Sequence, residues 1–76
     1  MVKSMIITMS SCFELVMRTA SGVELFYNPN TNTYISKDMD AVITAIIEDI
    51  NSNDYIGALI ATSLFEHMQN ATLISE

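Results

Sequence analysis

Three observations predict an α+β fold for this chain. Short runs of alternating apolar and polar residues fill the first half. A stripe of apolar residues at helical spacing follows, from Met39 to Ile50. Gly, Pro and Asn clusters punctuate the chain at turn-like intervals between them. Strands first and helices second point to an antiparallel meander of three strands, or four if residues 5–9 form one. Two helices then pack on one face of that sheet.

The elements follow in order. Met5, Ile7 and Met9 alternate with Ile6 and Thr8, which suits a strand over 5–9. Residues 12–19 predict the next strand, with Phe13, Leu15 and Met17 on one face and Glu14, Val16 and Arg18 on the other. Ala20-Ser21-Gly22 is a turn in which Gly22 can take a positive φ. Residues 23–28 return as a strand, with Val23, Leu25 and Tyr27 opposite Glu24 and Phe26. Pro29 and three asparagines make 28–32 a loop, and residues 33–35 form another strand. The stretch from Phe26 to Tyr34 resembles the second hairpin of WW domains over about ten residues, through shared hairpin chemistry. The chain has no tryptophan, so the WW peptide groove is not implied.

The first helix is expected over 37–50, with Ser36 as its cap and Asp38 and Asp40 in the first turn, where the helix dipole favours anions. Its stripe is Met39, Val42, Ile43, Ile46, Ile47 and Ile50. Asn51-Ser52-Asn53-Asp54 separates it from a second helix over 55–69, capped by Asn53 or Asp54. The core arc of this helix is Gly57, Ile60, Ala61, Leu64, Phe65 and Met68, with Gly57 placed to let another backbone approach. Tyr55 and Leu59 fall outside the arc. Either the helix is buried nearly all round, or these two await a partner. Thr72-Leu73-Ile74 forms an edge strand or trails.

Seventy-six residues make one domain whose core is marginal, because so short a chain buries only about 60% of its unfolded surface. A single cysteine rules out an internal disulfide, and a single histidine leaves no His/Cys metal cage. Self-association remains as an aid, and a homodimer is expected on equal footing with a monomer. Residues 1–37 carry three bases against two acids; residues 38–76 carry seven acids and no base, which together give the net charge of −6. Direct binding to nucleic acid is disfavoured, since phosphate contacts need clustered cations. A protein partner with a basic surface is favoured. No run approaches the ~20 apolar residues of a membrane span, and the lone cysteine agrees with a cytoplasmic address.

Catalytic ingredients are sparse. Cys12 and His67 are the one Cys/His pair, and Cys12 has no neighbouring cation but Arg18 to lower its thiol pKa. Cys12 reads as a structural thiol and His67 as a boundary histidine bonded to backbone or water. Glu48-Asp49 and Asp38/Asp40 are paired acids on an exposed helix face, where solvation is the ordinary role. No calcium-loop spacing and no Gly-rich phosphate loop occurs, and no cofactor is expected. The methionines at 17, 39 and 68 read as core filling.

The expected function is therefore a small acidic, non-enzymatic protein that binds and inhibits another protein, with a basic nucleic-acid-handling target. The expected contact residues are Asp40, Thr44, Glu48 and Asp49 on the first helix and Tyr55, Leu59 and Glu66 on the second. By type, such a chain resembles the inhibitors that phages and mobile elements direct against host defences, anti-CRISPR proteins among them. In that setting its address is the host cytoplasm. The alternative is a self-assembling structural or regulatory module.

Overall fold

The computed structural model describes residues 12–76. They form an α+β domain of four strands and two helices: β1 (Glu14–Arg18), β2 (Glu24–Asn28), β3 (Thr33–Ser36), α1 (Met39–Ile50), α2 (Tyr55–Gln69) and β4 (Thr72–Ser75). The strand expected over 5–9 lies outside the described residues. The sheet order is β1-β2-β3-β4. The first three strands are an antiparallel meander, and β4 returns after both helices to pair parallel with β3.

The turns form for the reasons their residues suggest. Gly22 adopts φ +91°, and the turn closes through Gly22 N donating to Thr19 O at 2.9 Å and Thr19 N donating to Val23 O at 2.8 Å. In the second loop Asn32 takes φ 52°, a conformation that asparagine tolerates better than most residues. Its side chain is tied on both sides: the Tyr27 hydroxyl donates to Oδ1, and Nδ2 donates to Asn70 O.

One expected pattern fails in β1. Leu15 pairs with Phe26 and Met17 with Leu25, so the register shifts across Val16. Val16 is the extra residue of a β-bulge, which puts Leu15 and Met17 on opposite faces and not the same one. Met17 turns toward the helices with Leu25. Leu15 joins Phe26, Ile35 and Ile74, which are successive register partners across all four strands on the outer face.

Helix α1 starts later than expected, and its cap is Asp38, not Ser36. Ser36 stays in the sheet, paired with both Leu25 and Ser75, and is buried. Asp38 is the first residue past the strand whose carboxylate can reach forward into the first turn, and it accepts from Ala41 N at 3.1 Å. The apolar stripe then behaves as its spacing predicts at every position but Ile47, which lies at the stripe's edge. Met39, Val42 and Ile46 are buried, Ile43 and Ile50 pack at the margin, and Ile47 is exposed. With Leu25, Tyr34, Ala61 and Met68 they make the core between helices and sheet. Burying such side chains stabilises by about 1.5–3 kcal/mol each.

Helix α2 has the expected span, from Tyr55 to Gln69, with Asp54 as cap. Its core arc is narrower than its wheel suggests. Ala61 and Met68 are buried and Leu64 and Phe65 pack against them, but Ile60 is exposed. The helix sits at the margin of the layer, so its wheel position at the arc's edge faces water. The role expected of Gly57 also changes. A Cβ there would lie 2.8 Å from Asp54 Oδ2, so glycine makes room for the helix's own capping carboxylate and not for another backbone. That carboxylate accepts from Gly57 N at 3.2 Å.

Candidate functional site

The acidic row of α1 forms one wall of a cleft. Thr44, Glu48 and Asp49 face the β1–β2 hairpin across a space of about 570 Å³, with Ala41 and Ala45 beside them. The opposite wall is Met17 to Ser21. Two things keep it open. Alanine at 41 and 45 leaves no bulk on that side of the helix. The bulge and the Thr19–Val23 turn shape the hairpin that faces it.

The charges in the cleft are unequally matched. Arg18 lines it, but its guanidinium is held by Glu24, with Nη2 at 2.6 Å from Oε2. This is the one ion pair among the described residues. Glu48 and Asp49 therefore present carboxylates to the cleft without a cation of their own. An exposed pair like Arg18–Glu24 is worth at most about 1 kcal/mol, so its place here is orientation more than stability.

A second, more apolar groove runs between β1 and α2. It measures about 680 Å³, with Val16 and Met17 on one side, Ile60 and Leu64 on the other and Ile46 among its lining residues. Next to it stands a ridge of exposed apolar side chains on the first two turns of α2. Tyr55 is 75% exposed, Ile56 68%, Leu59 53% and Ile60 65%.

At one end of this groove Tyr34 and His67 meet. Tyr34 Oη lies 2.5 Å from His67 Nδ1. Tyr27 completes an aromatic cluster, with ring centroids 4.5 Å from Tyr34 and 5.4 Å from His67. Burial, and secondarily the neighbouring Tyr27, push the Tyr34 hydroxyl above its ordinary pKa of 10.0. It keeps its proton through neutral pH. It donates to Nδ1 when the imidazole is neutral with its proton on Nε2, and accepts from Nδ1–H otherwise. His67 is thus bonded to a side chain, where backbone or water was expected. Residues 34 and 67 are 33 positions apart, and nothing in the local sequence of either announces the other. Cys12 has a different neighbour: its sulfur accepts from Asn30 Nδ2 at 3.3 Å.

The structure divides the expected contact residues between the two helices. Asp40, Thr44 and Glu48 share one exposed row of α1, and Thr44, Glu48 and Asp49 come together at the cleft. Tyr55, Leu59 and Glu66 share an exposed face of α2, at spacings of four and seven residues. Ile56 and Ile60 are exposed beside that face, although the helical wheel sets Ile60 in the core arc and gives Ile56 no role. Their wheel positions flank the buried arc, and only the offset of α2 from the core decides their fate. Among the described residues no cluster of three His, Cys, Asp or Glu side chains could hold a metal ion. No helix there is long and apolar enough to cross a membrane. Comparison with known protein families, with characterised proteins and with solved structures finds no match.

Proposed function

We propose that this chain is a non-enzymatic binding protein that docks through its acidic helical layer onto the basic surface of another protein. The observation that carries this reading is the cleft in which Glu48 and Asp49 face the hairpin without a cationic partner while Arg18 is occupied by Glu24. A Lys or Arg side chain of a partner fits such a cleft: its aliphatic stem would lie along Ala41, Ala45 and Met17, and its charge would meet the two carboxylates. Asp40, one turn before Thr44 on the same row, extends the negative surface toward the start of α1.

Long-range attraction by a net charge of −6 speeds encounter with a basic groove more than it raises final affinity. A target whose groove normally holds nucleic acid would be inhibited by competition. That supports the reading of an inhibitor of a nucleic-acid-handling protein, such as an anti-defence factor acting in a host cytoplasm. The test has two stages. The chain is first used to capture its target from lysate at low and high salt. The association rate is then measured for wild type and for Asp40→Lys with Glu48→Lys. The double reversal is expected to slow association about tenfold at low salt and to flatten its salt dependence. Unchanged kinetics would remove the electrostatic reading.

A further inference from the structure

We infer that the exposed face of α2 is the contact surface for a second copy of this chain, in a two-fold dimer that leaves both acidic clefts outside. The inference uses a different surface from the cleft and does not depend on it.

The first argument is area. At their observed exposures Tyr55, Ile56, Leu59 and Ile60 present about 500 Å² of largely apolar surface from two consecutive helical turns, as large as the biggest patch on typical monomers. Val16 is 40% exposed and lines the groove that Ile60 also lines. Together they present somewhat under ~600 Å² per copy, which falls short of a standard-size interface but clears the roughly 1,000 Å² in total that a specific contact needs. A chain whose core is as small as this one gains proportionally more from covering such a ridge.

The second argument is charge, and it selects a second copy over a basic partner. The chain carries −6 overall, yet α2 has no charged residue from Tyr55 to Phe65. On the ridge of Tyr55, Ile56, Leu59 and Ile60 two like-charged copies can meet without setting carboxylates of α2 against each other; Asp49, in the adjoining groove, shares that groove with Arg18. A basic protein would gain nothing here that it does not gain more fully at the α1 cleft.

The third argument is the layout along the helix. The apolar residues occupy the first two turns, whereas Ser63, Glu66 and His67 follow on the exposed side. An antiparallel crossing centred between Ile56 and Leu59 lays each apolar half on the other and sets each Tyr55 near the partner's Ile60. At 1.5 Å per residue Glu66 then lies about 13 Å from the crossing point, beyond the screening length of about 8 Å at physiological salt. Asp54 is nearer, but its carboxylate is engaged with Gly57 N at the helix start.

Sedimentation equilibrium of the whole chain tests this, over about 1–200 µM, the range a modest interface spans. The expected mass is twice the chain's 8.4 kDa, falling to one copy in Leu59→Asp and in Ile56→Asp. Asp40→Lys with Glu48→Lys should leave the dimer intact. Both aspartate variants change exposed side chains, and circular dichroism checks that each stays folded. Hydrogen exchange of unmodified protein supplies a second readout: protection of residues 55–60 should rise with concentration. A monomer throughout, with concentration-independent exchange, would overturn the proposal, and so would a dimer that survives both variants. Either result leaves the cleft reading to be decided by its own association kinetics.

Discussion

Helices α1 and α2 are neighbours in one layer, yet they use their apolar residues in opposite ways. In α1 the stripe of Met39, Val42 and Ile46 is buried and the far side carries Asp40, Thr44 and Glu48. In α2 only Ala61 and Met68 are buried, while Tyr55, Ile56, Leu59 and Ile60 face solvent. The first helix lies across the sheet, close to β2, β3 and β4; the second leans mainly on the first and touches β4. One apolar inventory therefore stabilises the domain and the other remains available to something outside it.

The largest expected effect separates the two helices directly. Ile46→Ala should cost about 2–5 kcal/mol, because it deletes fully buried methylenes from the core between helices and sheet. Ile60→Ala, measured at a concentration where the chain is monomeric, should change stability by no more than about 0.5 kcal/mol. Urea denaturation of the two variants compares them. Equal losses would mean that α2 carries as much of the core as α1, and the contrast would fall.

A smaller effect sharpens how α2 is attached. Tyr34→Phe deletes the hydroxyl that meets His67 Nδ1 and should cost about 1 kcal/mol near neutrality. Its pH dependence is distinctive. Burial raises the folded-state pKa of Tyr34 above 10.0, so above that pH the unfolded chain ionises first. Stability from this group is complete below about pH 10 and declines as pH rises through the raised folded value. Thermal melts between pH 8 and 11 should show a decline in wild type that is reduced in Tyr34→Phe. Parallel curves would show that Tyr34 ionises alike in both states.

The smallest effect concerns the start of α2. Glycine to alanine inside a helix ordinarily gains about 1 kcal/mol. At position 57 the new methyl would press on Asp54 Oδ2 at 2.8 Å, and loss of a capping carboxylate costs about the same amount. Gly57→Ala should therefore fall within about 0.5 kcal/mol of wild type in a chemical melt, given these opposed terms. A full gain would show that the cap contributes little.

Much of this architecture is legible in the residues because local chemistry decides it. Gly22 marks the hairpin, the asparagines mark the second loop, and Asn51 to Asp54 separates two helices whose apolar spacing is helical. What local chemistry does not decide is harder to read. The bulge at Val16 leaves the alternation of β1 intact on paper. Ser36 and Asp38 are both good caps, and the choice between them falls to the sheet, which retains Ser36 through its pairings with Leu25 and Ser75. The parallel return of β4 depends on residues about forty positions away. For the candidate site, the acidic row and the outward positions of Tyr55 and Leu59 follow from helical geometry. The cleft does not, since the hairpin's approach to α1 is a tertiary matter.

The return of β4 has a consequence for how the domain breathes. At one end of the strand Thr72 N donates to Asn32 O, and Asn32 Nδ2 donates to Asn70 O. At the other, Ser75 Oγ accepts from Met39 N, and Glu76 N donates to Ser36 O. These bonds tie β4 to the loop before β3, to the end of β3 and to the start of α1, so peeling β4 away also takes the acceptor from Met39 N in the first turn of α1. The first-turn amide of α1 and the backbone amides of β4 should then lose protection together, as one cooperative opening. The short terminal strand is in this sense a buckle: releasing it frees the helical layer from the sheet.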